Sequence, residues 1–105
     1  MVATLSPAEA AEIISSGDAD VVDVRDEAEW TSGHIAQARL VPLDQLRADP
    51  ERALRRDSII FVCARGVRSL TAAKLAERLG FSKLYNVEGG TVGWAKAGLP
   101  LVVGI

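Results

Sequence analysis

Cys63 is the chain's one cysteine, and it opens the run Cys63-Ala64-Arg65-Gly66-Val67-Arg68-Ser69. Before it stands Ile59-Ile60-Phe61-Val62, a short continuous apolar stretch of the kind that forms a strand buried on both faces. After it, Leu70–Leu79 places Leu70, Ala73, Ala76 and Leu79 at helical spacing. The cysteine therefore falls in a tight loop between a buried strand and a helix N-terminus. Such loops turn several backbone N–H groups into one small space, and the helix macrodipole adds partial positive charge there. With Arg65 and Arg68 nearby, the thiol should ionise more readily than a free cysteine, whose pKa is about 8.5. The chemistry expected is nucleophilic attack by a thiolate. The competing reading is a small buried hydrophobe at a strand end.

The neighbouring residues divide by role. Gly66 is expected for backbone reasons, because converging N–H groups in a tight loop favour a residue without a Cβ. Arg65 has two readings, a solvated loop residue or the group that receives an anionic donor. Arg68 also has two, direct action at the site or pairing with an acidic residue that holds the loop's shape. Asp23 and Arg25, at the end of another strand, are expected to fix the rim of the site rather than take part in the chemistry. Glu29 is read as completing a helix cap and His34 as structural. Trp30 and Trp94 are read as packing anchors for short helices.

These residues need a scaffold, and the chain supplies one by alternation. Ser6-Pro7-Ala8-Glu9 is a helix start with a capping box, closed by Gly17. Val21–Val24 is a β-branched strand, and Asp26 with Glu29 caps a short helix that stops near Gly33. Ala38–Val41 is a weaker strand, and Leu43–Leu54 has no clear period, with a helical turn starting at Asp49-Pro50. The helix after Cys63 should end at Gly80, followed by a strand over Lys83–Val87, a helix over Thr91–Ala97 and an apolar segment, Leu99–Val103. Strands alternating with helices predict an α/β fold, a parallel sheet with helices on both faces. Ligands bind such sheets outside the carboxyl ends of the strands, so Cys63 and Asp23-Val24-Arg25 are expected on one rim.

Composition bounds the function. At 105 residues and 49% hydrophobic, the chain can bury one core without staples, and a single domain over 1–105 is expected. A formal charge of −2 gives no basic field for nucleic acid or anionic lipid. One cysteine cannot form an internal disulfide, which favours a reducing cytoplasm. No stretch approaches the ~20 apolar residues of a membrane span, and the first residues do not read as a leader. One histidine and one cysteine are too few soft ligands for a typical zinc site, so neither metal nor cofactor is expected. A monomer is the default.

Three stretches together resemble the single-domain rhodanese-like sulfurtransferases. Asp23-Val24-Arg25 followed by Glu29-Trp30 and Gly33-His34-Ile35 is similar to that family's N-terminal signature. Cys63 to Ser69 is similar to its active-site loop, and Asn86-Val87-Glu88-Gly89-Gly90 with Trp94, Gly98 and Pro100 to its C-terminal signature. The likeness covers nearly the whole chain, and three motifs in order are far more specific than any one. It departs at Ala36-Gln37-Ala38-Arg39-Leu40-Val41-Pro42, where relatives often carry a glycine and an asparagine, so the local turn is expected to differ.

The resemblance implies a five-stranded parallel sheet and a thiosulfate sulfurtransferase in which Cys63 cycles between thiolate and persulfide. The N–H groups from Ala64 through Arg65, Gly66, Val67 and Arg68 to Ser69 would stabilise the charge on sulfur. It implies a small anionic donor such as thiosulfate and an external acceptor, whether cyanide, a thiol or a protein. Related phosphatases and arsenate reductases enclose five residues between cysteine and arginine; here Cys63 and Arg68 enclose four, and Val62 stands where a phosphatase would carry histidine. The alternative from another class is a rhodanese-like binding or sulfur-relay module that does not turn over small donors.

Overall fold

The computed structural model describes residues 1–104; Ile105, the end of the expected single domain, lies outside the described residues. Its centre is the apolar strand before Cys63. Ile59, Ile60, Phe61 and Val62 are all fully buried, and each such side chain contributes about 1.5–3 kcal/mol of gross hydrophobic stabilisation. They can be buried on both faces because the strand lies mid-sheet with helices on either side.

In chain order the elements are β1 (Val2–Leu5), α1 (Pro7–Ser16), β2 (Asp20–Asp23), α2 (Glu27–Ser32), β3 (Ala38–Leu40), α3 (Leu43–Ala48), α4 (Pro50–Ala53), β4 (Ile59–Val62), α5 (Val67–Arg78), β5 (Leu84–Val87) and α6 (Gly90–Lys96). The five strands form one sheet in the order β1-β5-β4-β2-β3, every pair parallel. Alternate residues of β4 feed two cores. Ile59 and Phe61 pack with Val22, Leu84 and the α5 alanines, while Ile60 and Val62 pack with Val21, Val87, Ile14 of α1 and Trp94 of α6. The α/β class, the parallel five-stranded sheet and the two helical layers thus stand as expected.

Local signals placed most of the ends. Ser6 caps α1 with a reciprocal box, its Oγ accepting from Glu9 N–H while Glu9 Oε1 accepts from Ser6 N–H. Asp26 and Glu29 do the same for α2. At the far end of α5, Gly80 N–H donates to Glu77 O and Phe81 N–H to Ala76 O, which stops the helix. The altered stretch after Ile35 still turns, with Ala38 N–H donating to Ile35 O at 2.9 Å as β3 begins.

Elsewhere the structure adds to the sequence reading or departs from it. The fifth strand is the N-terminal β1, an edge strand whose Val2-Ala3-Thr4-Leu5 has no distinctive pattern and is held by pairing with β5. The terminal apolar segment makes no strand; it contributes one antiparallel bridge, Val102 with His34, and Pro100 O accepts from Trp94 Nε1. Leu43–Leu54 is two short helices broken at Asp49, ahead of Pro50. Helix α5 starts at Val67 and buries Ser69, Ala72, Ala73 and Ala76, whereas Leu70 is half-buried and Leu79 is exposed. Small residues let α5 lie close to the sheet, so the contact face is rotated from the leucines that periodicity favoured.

Candidate active site at Cys63

Strands β2 and β4 are parallel neighbours with Asp23 opposite Val62, and Val24 N–H donates to Val62 O. Cys63 and Asp23-Val24-Arg25 therefore do share the carboxyl rim. Cys63 itself is 1% exposed.

The loop after it is shaped by helix α6. Thr91 N–H donates to Cys63 O at 2.8 Å and Val92 N–H to Ala64 O at 3.1 Å. With these carbonyls drawn onto the first turn of α6, the N–H groups of Arg65, Gly66 and Ser69 face the sulfur. Gly90 permits the approach, for a Cβ there would overlap Cys63 O and lie 2.5 Å from the carbonyl carbon of Ala64. Gly66 adopts φ +97°, and its N–H donates to Cys63 Sγ at 3.1 Å.

A side-chain relay completes the pocket. Ser69 Oγ is 3.3 Å from Cys63 Sγ and donates to Asn86 Oδ1 at 2.5 Å, while Asn86 Nδ2 donates to Gly66 O at 3.2 Å. Burial alone would push the Cys63 thiol up. The Ser69 hydroxyl and the N–H groups of Ser69, Arg65 and Gly66 outweigh it and bring the thiol below its ordinary range. What the arrangement provides is a buried, ionisable sulfur in a cradle of donors, suited to holding negative charge on sulfur.

The two loop arginines part company. Arg68 turns to Glu29 as a fork, with Nη1 on Oε2 and Nη2 on Oε1, both at 2.8 Å. Glu29 is held well below the ordinary carboxylate range, at about 2, chiefly by that guanidinium. Since Glu29 also caps Asp26 N–H, the pair ties the start of α5 to the start of α2. Arg65 is exposed and borders a groove of about 580 Å³. Val67 is 74% exposed and Ala64 half-buried.

Asp23 and Arg25 form a buried ion pair at the sheet's carboxyl rim. Asp23 accepts from Arg25 N–H, Nε and Nη2, and Arg25 Nη2 also donates to Gly33 O at 2.7 Å. Their hydrogen bonds run to the end of α2 and none goes to Cys63. His34 stacks on Trp30 with ring centroids 3.6 Å apart, its Nδ1 2.8 Å from Trp30 O. Among the described residues no group of three or more His, Cys, Asp or Glu is arranged to hold a metal ion.

Residues 6–97 match the family model described as the rhodanese-like domain. The chain belongs to the rhodanese-like family. It is 29% identical to the thiosulfate sulfurtransferase GlpE of Actinobacillus pleuropneumoniae, over 92% of this chain and 90% of GlpE. It is 35% identical to the probable adenylyltransferase/sulfurtransferase MoeZ of Mycobacterium tuberculosis, over 95% of this chain. The chain spans 26% of the length of MoeZ. A rhodanese-related protein of Thermoplasma volcanium superposes with a TM-score of 0.85 at 32% identity, covering 97% of this chain and 99% of that one.

Within this rhodanese-like domain, sequence reasoning missed the Ser69 side chain, Asn86, Gly90 and the Glu29 partner of Arg68. Ser69 entered only as a backbone donor. Asn86 and Gly90 stood in the C-terminal signature, but their role depends on β5 lying beside β4, which no local pattern reports.

Proposed function

We propose that this chain is a thiosulfate or persulfide sulfurtransferase acting through a Cys63 persulfide, in a reducing compartment such as the cytoplasm. The observation that carries the reading is the contact of Gly66 N–H with Cys63 Sγ inside a loop whose carbonyls are bonded to α6. Family membership and the likeness to GlpE support the same class of chemistry.

In the first half-reaction the Cys63 thiolate attacks the outer sulfur of thiosulfate. The new Sγ–S bond forms as the donor's S–S bond breaks, and sulfite leaves with that electron pair. Cys63 then carries a persulfide whose terminal sulfur keeps a negative charge, and the loop N–H groups stabilise it. In the second half-reaction an acceptor nucleophile attacks the terminal sulfur and the Cys63 thiolate is restored. Ala64, Arg65, Gly66, Val67, Arg68 and Ser69 form the cradle. Asp23 and Arg25 hold the rim in place. Because Cys63 is the only cysteine, no second thiol of the chain can resolve the persulfide and the acceptor is external.

The test is intact-mass spectrometry after brief exposure to thiosulfate and then to cyanide, with Cys63→Ser in parallel. The expected result is a gain of one sulfur atom that cyanide removes and the folded Cys63→Ser protein never shows. Absence of the adduct on folded wild-type protein would overturn this reading in favour of a binding or relay module.

A further inference from the structure

Two hollows flank the Cys63 loop, and they differ in charge. The smaller, of about 240 Å³, is bordered by Arg25, Asp26, Asp44 and Arg68. Both arginines there already hold carboxylates, Arg25 that of Asp23 and Arg68 that of Glu29, so an arriving anion meets no free cation. The larger is the groove of about 580 Å³ beside Arg65. It is lined by Arg65, Glu88 and Lys96, with Pro7, Val92 and Ala97 as apolar wall. All three charged side chains are exposed, and none has an ion-pair partner among the described residues. The groove is joined to the nucleophile's loop, since Val92 N–H bonds the carbonyl of Ala64, the residue between Cys63 and Arg65.

Resting on the sulfurtransferase reading, we propose that this groove is the acceptor subsite and that the acceptor is a small thiol carrying a carboxylate. The carboxylate is met by Arg65 and Lys96, and an ammonium on the same molecule by Glu88. The volume lies in the range of about 300–1,000 Å³ typical of small-molecule sites. A docked protein would need an interface of about 1,200 Å² or more with apolar anchors. Of the large hydrophobic residues that are exposed, only Val67 belongs to the Cys63 loop.

The step balances without an oxidant. The acceptor thiolate attacks the terminal sulfur of the Cys63 persulfide and an R–S–S bond forms. The Cys63 S–S bond breaks with its electron pair going to Sγ, and the acceptor leaves as a persulfide.

The test isolates that step. Wild-type and Lys96→Glu proteins are loaded with thiosulfate and freed of donor. The persulfide mass is verified, and each sample is offered 3-mercaptopropionate or cysteamine at low ionic strength. The readout is the ratio of the two discharge rates, so each thiol's own reactivity cancels when the variants are compared. Reversing an exposed charge that faces the acceptor should lower the carboxylate-to-amine ratio by about threefold or more. A smaller change overturns the subsite. Failure of wild-type protein to load overturns the sulfurtransferase reading itself, and the subsite with it.

Discussion

The Ser69 hydroxyl donates to Asn86 Oδ1 at 2.5 Å while its oxygen stands 3.3 Å from Cys63 Sγ. Asn86 is held in that orientation because its Nδ2 donates to Gly66 O. The one hydroxyl proton can serve either Asn86 or a thiolate, so donation to the sulfur requires it to leave Asn86.

Ser69→Ala removes that donor and should raise the Cys63 pKa. Persulfide formation at neutral pH should slow by about tenfold, the size of one charge-assisted hydrogen bond. Thiolate absorbance followed against pH checks the shift. In wild type the rate should rise with pH and level off once Cys63 is ionised; in Ser69→Ala the rise should come at higher pH. An unmoved midpoint would remove Ser69 from the cradle.

Glu29→Gln should leave the fold intact and lower stability at neutral pH by about 1 kcal/mol, because the pair it breaks is partly exposed. The sign follows from linkage. The folded pKa of Glu29, about 2, is below its ordinary 4.5, so the ion pair's contribution is complete above 4.5 and lost as pH falls through about 2. Urea unfolding of both proteins should show a gap at pH 7 that narrows in strong acid. A gap independent of pH would mean that the carboxylate's charge is not what stabilises the contact.

Gly90 and Gly66 both have positive φ, at +57° and +97°, yet alanine should affect them differently. At Gly66 an added Cβ meets nothing closer than 3.4 Å, leaving a backbone cost of about 1–3 kcal/mol. At Gly90 it collides with the Cys63 and Ala64 carbonyls, so the loop must also shift, with an added cost of about 1–3 kcal/mol and loss of sulfur transfer. Denaturant midpoints and persulfide loading compare the two. Equal behaviour would show that the packing of α6 against the loop is slack.

Arg65→Ala should raise KM for thiosulfate and leave the unfolding midpoint unchanged, since the side chain is exposed and has no ion-pair partner among the described residues. If both kinetic constants stayed at wild-type values, Arg65 would have no part in receiving the donor.

The sequence by itself determined what local chemistry can encode. Ser6-Pro7-Ala8-Glu9 and Asp26 with Glu29 announce helix starts because capping joins residues three apart. Ile59–Val62 announces a central strand because a short, β-branched apolar run suits a strand covered on both faces. Those signals, with one cysteine between strand and helix, were enough for the parallel α/β fold and the place of the cysteine in it. Tertiary structure decided the rest. Whether Arg68 faces the sulfur or a carboxylate depended on α2 bringing Glu29 within 2.8 Å, across 39 positions of chain. Asn86 reaches Ser69 only because β5 pairs with β4, and β1 is a strand only because β5 offers it an edge. Such contacts depend on partners distant in sequence, and no local pattern carries their geometry.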